Sequence, residues 1–324
     1  MVVKSASRYR EWLVRIKPFW ALSRTPHALL DMAAPILGAL LVLGGFPSVG
    51  VMVLGIITVF AGYTAVYALN DVIDYRTDVK KVNAGGYDDS EAYLDGVMIR
   101  HPMAKGVISI SQGVCWVALW SMPAFIGAYL LNPVCVWIFL GGFGLEIVYC
   151  RLWKVTPFRT IVNGAVKTCG PVAAVFAVKP DPSTVFVMVL FLWIFFWEIG
   201  GQNIPADWTD IEEDRHFQAQ TIPVKLGVER ASIVALSTLI LTLPLSIILL
   251  FVSPLAFSPY SFLLIVACNL YLLLLPAQAL YESKHRRQAM ALFNKASYYP
   301  VAILSVVGIH FILRNVLPLS LIHI

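Results

Sequence analysis

Apolar residues gather in nine runs along the chain, at positions 28–46, 51–69, 107–131, 134–149, 161–178, 183–201, 231–252, 262–280 and 296–313. A helix needs about 20 such residues to cross the hydrocarbon of a bilayer. In lipid a backbone N–H or C=O finds no water partner, so runs of this length predict helices. The strict two-residue alternation of a membrane barrel is absent. The pattern therefore predicts an all-α polytopic membrane protein with nine transmembrane helices. Between the runs the chain turns polar, and the polar residues are not spread evenly. Acidic residues concentrate after the second and sixth runs. Basic residues concentrate in the N-terminal arm and after every even-numbered run.

The basic residues predict an orientation. Of 24 Lys and Arg, all but Lys167, Lys179 and Arg314 lie in the N-terminal arm or in the loops after runs two, four, six and eight. Positive loops stay on the cytoplasmic side. The N-terminus and these loops are thus expected to be cytoplasmic, in an integral membrane protein of a prokaryotic inner (plasma) membrane. In the arm, Tyr9, Trp12, Leu13 and Ile16 share one helical face against Arg8, Arg10 and Arg15, which predicts an interfacial helix ending at Pro18. Three parts are expected: residues 1–27 as a cytoplasmic arm, 28–316 as a single transmembrane domain, and 317–324 as a short tail. No cleavable signal peptide is expected.

Composition agrees and adds exclusions. The chain is 59% hydrophobic and 13% charged, about half the charge of a soluble domain. Its net charge of +5 follows from the loop bias and gives no nucleic-acid footprint. The five cysteines form no paired motif, so neither a zinc site nor a disulfide framework is indicated.

The acidic segments carry the chemistry. After the second run come Asn70, Asp71, Asp74 and Asp78; after the sixth come Asp207, Asp210 and Asp214. Both read D-x2-D-x3-D, and each follows the second helix of a four-helix set. This predicts two four-helix pseudo-repeats plus a ninth helix around a central chamber. Positions i, i+3 and i+7 share a helical face, so each motif is expected to present three carboxylates in a stripe. Two carboxylates about 5–6 Å apart repel by roughly 3 kcal/mol at an effective dielectric near 20. Cations between the stripes would relieve this. Oxygen donors without His or Cys select magnesium or calcium, and magnesium recruits phosphates. The alternative is a pair of solvated acidic loops.

These motifs resemble the UbiA superfamily of intramembrane aromatic prenyltransferases. Asn70, Asp71, Asp74 and Asp78 match its NDxxDxxxD motif, and Asp207, Asp210 and Asp214 its second acidic motif. The stretch from Thr221 to Gly227 resembles the T-x-P-V-x-x-G that follows. Two features depart: His101 stands before Pro102 where the family carries Arg, and residues 83–96 form an insertion. The resemblance implies two Mg2+ ions held by the six aspartates, a polyprenyl diphosphate donor, and transfer through an allylic carbocation. The acceptor expected is an aromatic quinone precursor such as a 4-hydroxybenzoate-like ring. A lipid-phosphate, phosphoribosyl or tetrapyrrole acceptor, a terpene cyclase, and a secondary transporter remain open alternatives. The partners implied are the donor, a small-molecule acceptor and membrane lipid, with no nucleic acid.

Arg24 and Lys154 sit in segments similar to the family's basic positions, and Arg76, Lys105 and Arg215 adjoin the motifs. All five are candidate diphosphate contacts, against the alternative of charges snorkelling from helix ends. Within the spans, Asn163, Lys167 and Glu198 are candidates for the acceptor or chamber wall. Asp31 and Glu146 are further polar residues in apolar surroundings. The alternatives there are a structural ion pair and helix–helix hydrogen bonds.

Overall fold

A computed structural model describes residues 15–85 and 98–316, and they are helical nearly throughout. Nine helices among the described residues are long and apolar enough to cross a membrane: α1 (Thr25–Leu43), α2 (Val49–Asn83), α3 (Ile110–Leu131), α4 (Pro133–Arg151), α5 (Arg159–Val178), α6 (Thr184–Thr209), α7 (Ile222–Val252), α8 (Pro259–Ser283) and α9 (Arg286–Arg314). Each expected run overlaps one of them, within a few residues at its ends. Neighbours in sequence pack on one another from α2 through α9, and α1 closes the bundle against α5 and α9. The outer surface is apolar: Trp137, Phe251 and Val49 are each at least 70% exposed, as a lipid-facing surface requires.

Several helices outrun their apolar stretch. At 35 residues α2 is about 52 Å long, against about 30 Å of hydrocarbon. Its first turn is capped by Ser48, whose side chain accepts from Val51 N. No Gly or Pro interrupts it between Tyr63 and Asn83. The first acidic motif therefore lies on an unbroken helix rather than in a loop. The arm also differs from expectation, because its helix continues through Pro18 to Leu22. Tyr9, Trp12, Leu13 and most of the 83–96 insertion lie outside the described residues.

The second motif is built differently from the stripe expected of it. A π-helical turn, Glu198–Asn203, interrupts α6 ahead of Pro205. Proline has no N–H to donate to Gly201 and its ring crowds that carbonyl, so the widened turn accommodates it. α6 then resumes as Ile204–Thr209, breaks at Asp210 (φ −106°, ψ 16°), and continues as the short helix Ile211–His216. The widened turn packs tightly. A Cβ on Gly200 would stand 2.3 Å from Thr238 Oγ1 and 2.6 Å from the Ala235 carbonyl of α7.

The core lies between α1, α6, α7, α8 and α9. Trp193 and Trp197 are fully buried there. Trp193 Nε1 donates to Tyr299 Oη at 3.0 Å, Tyr299 Oη to Asn269 Oδ1 at 3.0 Å, and Trp197 Nε1 to the Ala296 carbonyl at 3.0 Å. This side of the bundle is solid. The opposite side, where α1, α2, α4, α5 and α6 meet, encloses a chamber.

Candidate active site

The chamber holds about 500 Å³ and changes character along its length. One end is lined by Asp71, Asp74, Asp78, Asp207, Asp210 and Asp214, so both acidic motifs open on the same space. The middle is lined by Tyr63, Tyr67, Glu146, Asn163, Lys167 and Glu198. Beyond them the wall is apolar, with Ile36, Leu40, Met52, Ile56, Leu131 and Phe139 among its residues.

At the acidic end, cations stitch the motifs together. Arg159 Nη2 lies 2.5 Å from Asp207 Oδ1 with both side chains buried, and its guanidinium stacks over Tyr149 at 4.6 Å. Lys81 Nζ lies 3.2 Å from Glu213 Oε1 and 3.6 Å from Asp214 Oδ1, linking α2 to the short helix after α6. Arg100 Nη2 reaches Asp210 Oδ2 at 3.5 Å, and Arg24 Nη2 reaches Asp71 Oδ1 at 3.4 Å. His101 adopts a left-handed backbone (φ 49°), and its Nδ1 stands 3.0 Å from Asp78 Oδ2 and 3.6 Å from Asp71 Oδ1. Burial, reinforced by the Asp207 charge, pushes the Asp214 carboxyl up to about 7.

The donor set fits a hard divalent cation. Six carboxylates face one space. Asp207 Oδ2 is buried with no hydrogen-bond partner, which leaves a lone pair for a ligand absent from the protein itself. His101 adds a nitrogen donor within 4.8 Å of Asp71 and Asp78 oxygens. The candidate donor set is therefore not oxygen-only, as the motifs alone predict, but includes one imidazole nitrogen.

The remaining candidates divide. Asn70 turns from the aspartates, donating to Glu146 Oε1 at 2.7 Å and Cys150 Sγ at 3.3 Å. Asn163 Nδ2 donates to Glu198 Oε1 at 2.7 Å, and Lys167 Nζ to Asp31 Oδ2 at 2.6 Å. Arg24 lines the chamber, whereas Arg76, Lys105, Lys154 and Arg215 do not. Arg76 is two residues from both Asp74 and Asp78, so the helix turns it to the outside. Lys154 is exposed and packs over Trp153 at 5.4 Å, and Arg215 pairs with Glu212 at 3.2 Å on the surface.

Arg159, Lys81, Arg100 and His101 were not among the expected site residues. Two of them carry a visible signal. Arg159, Asn163 and Lys167 recur every four residues from just before the fifth apolar run into it, which puts them on one face. Lys81 continues the Asp71, Asp74, Asp78 stripe by one more step of three. Arg100 and His101 come from a loop whose return to the chamber no local pattern encodes.

Among the described residues, a nine-helix bundle around a chamber with an acidic end and an apolar far end defines the class: a membrane-spanning helical protein with an amphiphilic internal chamber. The UbiA prenyltransferase family profile matches residues 32–298, and the chain belongs to that family. Among its relatives, the digeranylgeranylglyceryl phosphate synthase of Pyrococcus abyssi (strain GE5 / Orsay) is 24% identical over 222 residues, covering 68% of this chain and 73% of the relative. The 4-hydroxybenzoate octaprenyltransferase of Pseudomonas fluorescens (strain Pf0-1) is 27% identical over 182 residues, covering 53% and 60%. Two solved structures share the fold. The apo UbiA homologue from Aeropyrum pernix K1 superposes with a TM-score of 0.69 at 18% identity, covering 90% of this chain and 98% of its own. The Archaeoglobus fulgidus homologue bound to DMAPP and Mg2+ gives 0.62 at 17% identity, covering 89% and 99%.

Proposed function

We propose that this prenyltransferase moves a polyprenyl group from an isoprenoid diphosphate to an electron-rich aromatic acceptor, with Mg2+ held by Asp71, Asp74, Asp78, Asp207, Asp210 and Asp214. The observation that carries the reading is the joint opening of both acidic motifs on one end of a chamber whose other end is apolar. An amphiphile with a diphosphate head and a hydrocarbon tail matches that gradient. The A. fulgidus homologue bound to DMAPP and Mg2+ supports the choice of donor and metal. Two ions suit two groups of three carboxylates.

Bound Mg2+ supplies charge neutralisation for the departing diphosphate. The chain's own residues do the rest. Arg24, Arg159 and Lys81 add positive charge at the same end and orient the carboxylates through their ion pairs. The apolar wall takes the tail and keeps water from the carbocation. Tyr63, Tyr67 and Tyr149 give the middle of the chamber aromatic faces for an acceptor ring or a passing cation. We also propose that residues 28–316 act as one transmembrane domain, with the acidic end on the cytoplasmic side as the loop charges indicate.

The name of the Pyrococcus abyssi relative supports a second reading, a lipid-phosphate acceptor. The test is an acceptor screen with purified full-length protein in liposomes, Mg2+ and radiolabelled polyprenyl diphosphate. The account expects label to pass to a phenolic ring. Transfer to a glycerophosphate lipid alone would replace the aromatic reading with the second one.

A further inference from the structure

Below the acidic end, α1, α2 and α6 each bring polar groups to Lys167 of α5. Its Nζ donates to Asp31 Oδ2 at 2.6 Å and to Tyr67 Oη at 3.0 Å, and lies 3.5 Å from Glu198 Oε2. Tyr67 Oη itself donates to Asp31, and His27 Nε2 stands 3.7 Å from Asp31. Asp31 alone satisfies the ammonium as an ion-pair partner. Glu198 is therefore a second carboxylate on a cation that already has one. Asn163 serves its Oε1, while its Oε2 is buried with no hydrogen-bond partner. The residue is 4% exposed and lines the chamber. A buried carboxylate oxygen that meets the protein only through a 3.5 Å ion pair keeps a lone pair open to a ligand's donor.

The position suits an acceptor. Asn163, which holds Glu198, lies one turn of α5 from Arg159, which holds Asp207. Glu198 thus sits about 5–6 Å below the acidic end along the helix axis. That is where the first carbons of a tail hang from a diphosphate anchored above. The charge suits an uncharged acceptor. Asp31, Glu146 and Glu198 surround this section, and Lys167 is shared between the Asp31 and Glu198 carboxylates. A carboxylated ring would meet like charge here, with two of the three Lys167 donors already engaged by Asp31 and Tyr67.

We infer that Glu198 binds the acceptor, that the acceptor is an uncharged phenol donating its O–H to Glu198 Oε2, and that Lys167 and Asp31 hold that carboxylate in place. The inference rests on the prenyl-transfer reading and narrows the 4-hydroxybenzoate-like ring expected from sequence to one lacking a carboxylate. As the C1–O bond of the donor breaks, its electron pair leaves with the diphosphate. A ring carbon ortho or para to the phenol oxygen bonds to C1 while the O–H proton passes to Glu198. The dienone so formed loses its ring C–H proton to the diphosphate, and Glu198 returns the O–H proton. The phenol is restored, carrying the prenyl group in place of the ring hydrogen.

The test compares two matched pairs of acceptors on the purified full chain with Mg2+ and geranylgeranyl diphosphate. Hydroquinone is set against 4-hydroxybenzoate, and 1,4-dihydroxynaphthalene against 1,4-dihydroxy-2-naphthoate. The uncharged member of each pair should show kcat/KM at least about tenfold higher. Glu198→Gln should lower transfer to it by about a hundredfold, while Mg2+-dependent binding of a non-reacting geranylgeranyl thiodiphosphate stays at the parent value. Preference for the carboxylated member, no transfer to either uncharged ring, or unchanged transfer by Glu198→Gln overturns the inference. The acceptor preference of the unmodified protein decides by itself if the variant fails to fold. Donor binding separates the two layers of the account. Intact donor binding with a preference for the carboxylated ring removes only this inference, whereas absence of Mg2+-dependent donor binding removes the prenyl-transfer reading.

Discussion

The aspartates at the acidic end differ in what holds them, and that decides which substitutions report on chemistry. Asp207 neutralises the buried Arg159, and Asp78 holds His101. Removing either would disturb structure as well as metal binding. Asp74 and Asp210 are cleaner probes: Asp74 has no ion pair among the described residues, and Asp210 has only the partly exposed Arg100. Asp74→Ala and Asp210→Ala should each reduce prenyl transfer by more than about a hundredfold. Their thermal midpoints in detergent should stay within a few degrees of the parent, because removing one charge from a like-charged group relieves repulsion. Normal turnover by Asp74→Ala would show that the first motif is not a metal clamp. Arg159→Leu should behave oppositely and lower stability by about 3–5 kcal/mol, since it strands the buried Asp207. A thermal melt that matches the parent's would contradict the buried pairing.

Asp214 gives the acidic end a pH dependence. Its carboxyl is pushed up to about 7 by burial and by Asp207, against about 4 in an unfolded chain. With a raised folded value, the stability this group contributes is full below about pH 4 and is lost as pH rises through about 7. Without metal, the thermal midpoint should therefore fall across this window. Mg2+ binds the ionised form, so it should restore stability most at the alkaline end. Asp214→Asn should flatten both trends, and a variant that keeps the full slope would place the titration elsewhere.

At the scale of elements, the lesson lies in α2 and α6. Both motifs were legible as D-x2-D-x3-D, and both do face one chamber. In α2 the helical period was a sufficient guide, because the chain from Tyr63 to Asn83 holds no helix breaker and the stripe follows from i, i+3 and i+7. In α6 it was not. Pro205 and the close packing of Gly200 against α7 replace regular helix with a π-turn, and Asp210 falls at a break. The three carboxylates meet the chamber from two short helices, an arrangement set by tertiary packing. His101 and Arg100 were illegible as site residues for the same reason: a loop delivers them across the bundle. The surface positions of Arg76, Lys154 and Arg215 show the converse, that nearness to a motif in sequence does not bring a side chain into the chamber. Gly200→Val tests the element directly. The added side chain collides with Thr238 and Ala235, so it should cost about 1–3 kcal/mol and lower transfer by displacing Asp207 and Asp210. Parent-like stability would mean the π-turn yields freely.

At the scale of the whole molecule, one side of the bundle is a packed core and the other a chamber graded from charge to hydrocarbon. That gradient needs both acidic motifs on the same membrane face. Single cysteines placed in a cysteine-free background at positions 83–85 and 218–221 should label from the cytoplasmic side only. Positions near Ser48, Pro133 and Pro254 should label from the other side only. Labelling of the two acidic segments from opposite faces would break the shared site.

The central claim is that the two motifs together hold divalent metal for a diphosphate, and the dependence of transfer on that metal tests it most directly. Prenyl transfer by the purified protein is measured after exhaustive treatment with EDTA and again after Mg2+ is added back. The account predicts that chelation abolishes transfer and that Mg2+ restores it in the parent but not in Asp74→Ala. Transfer that persists undiminished through chelation would contradict it.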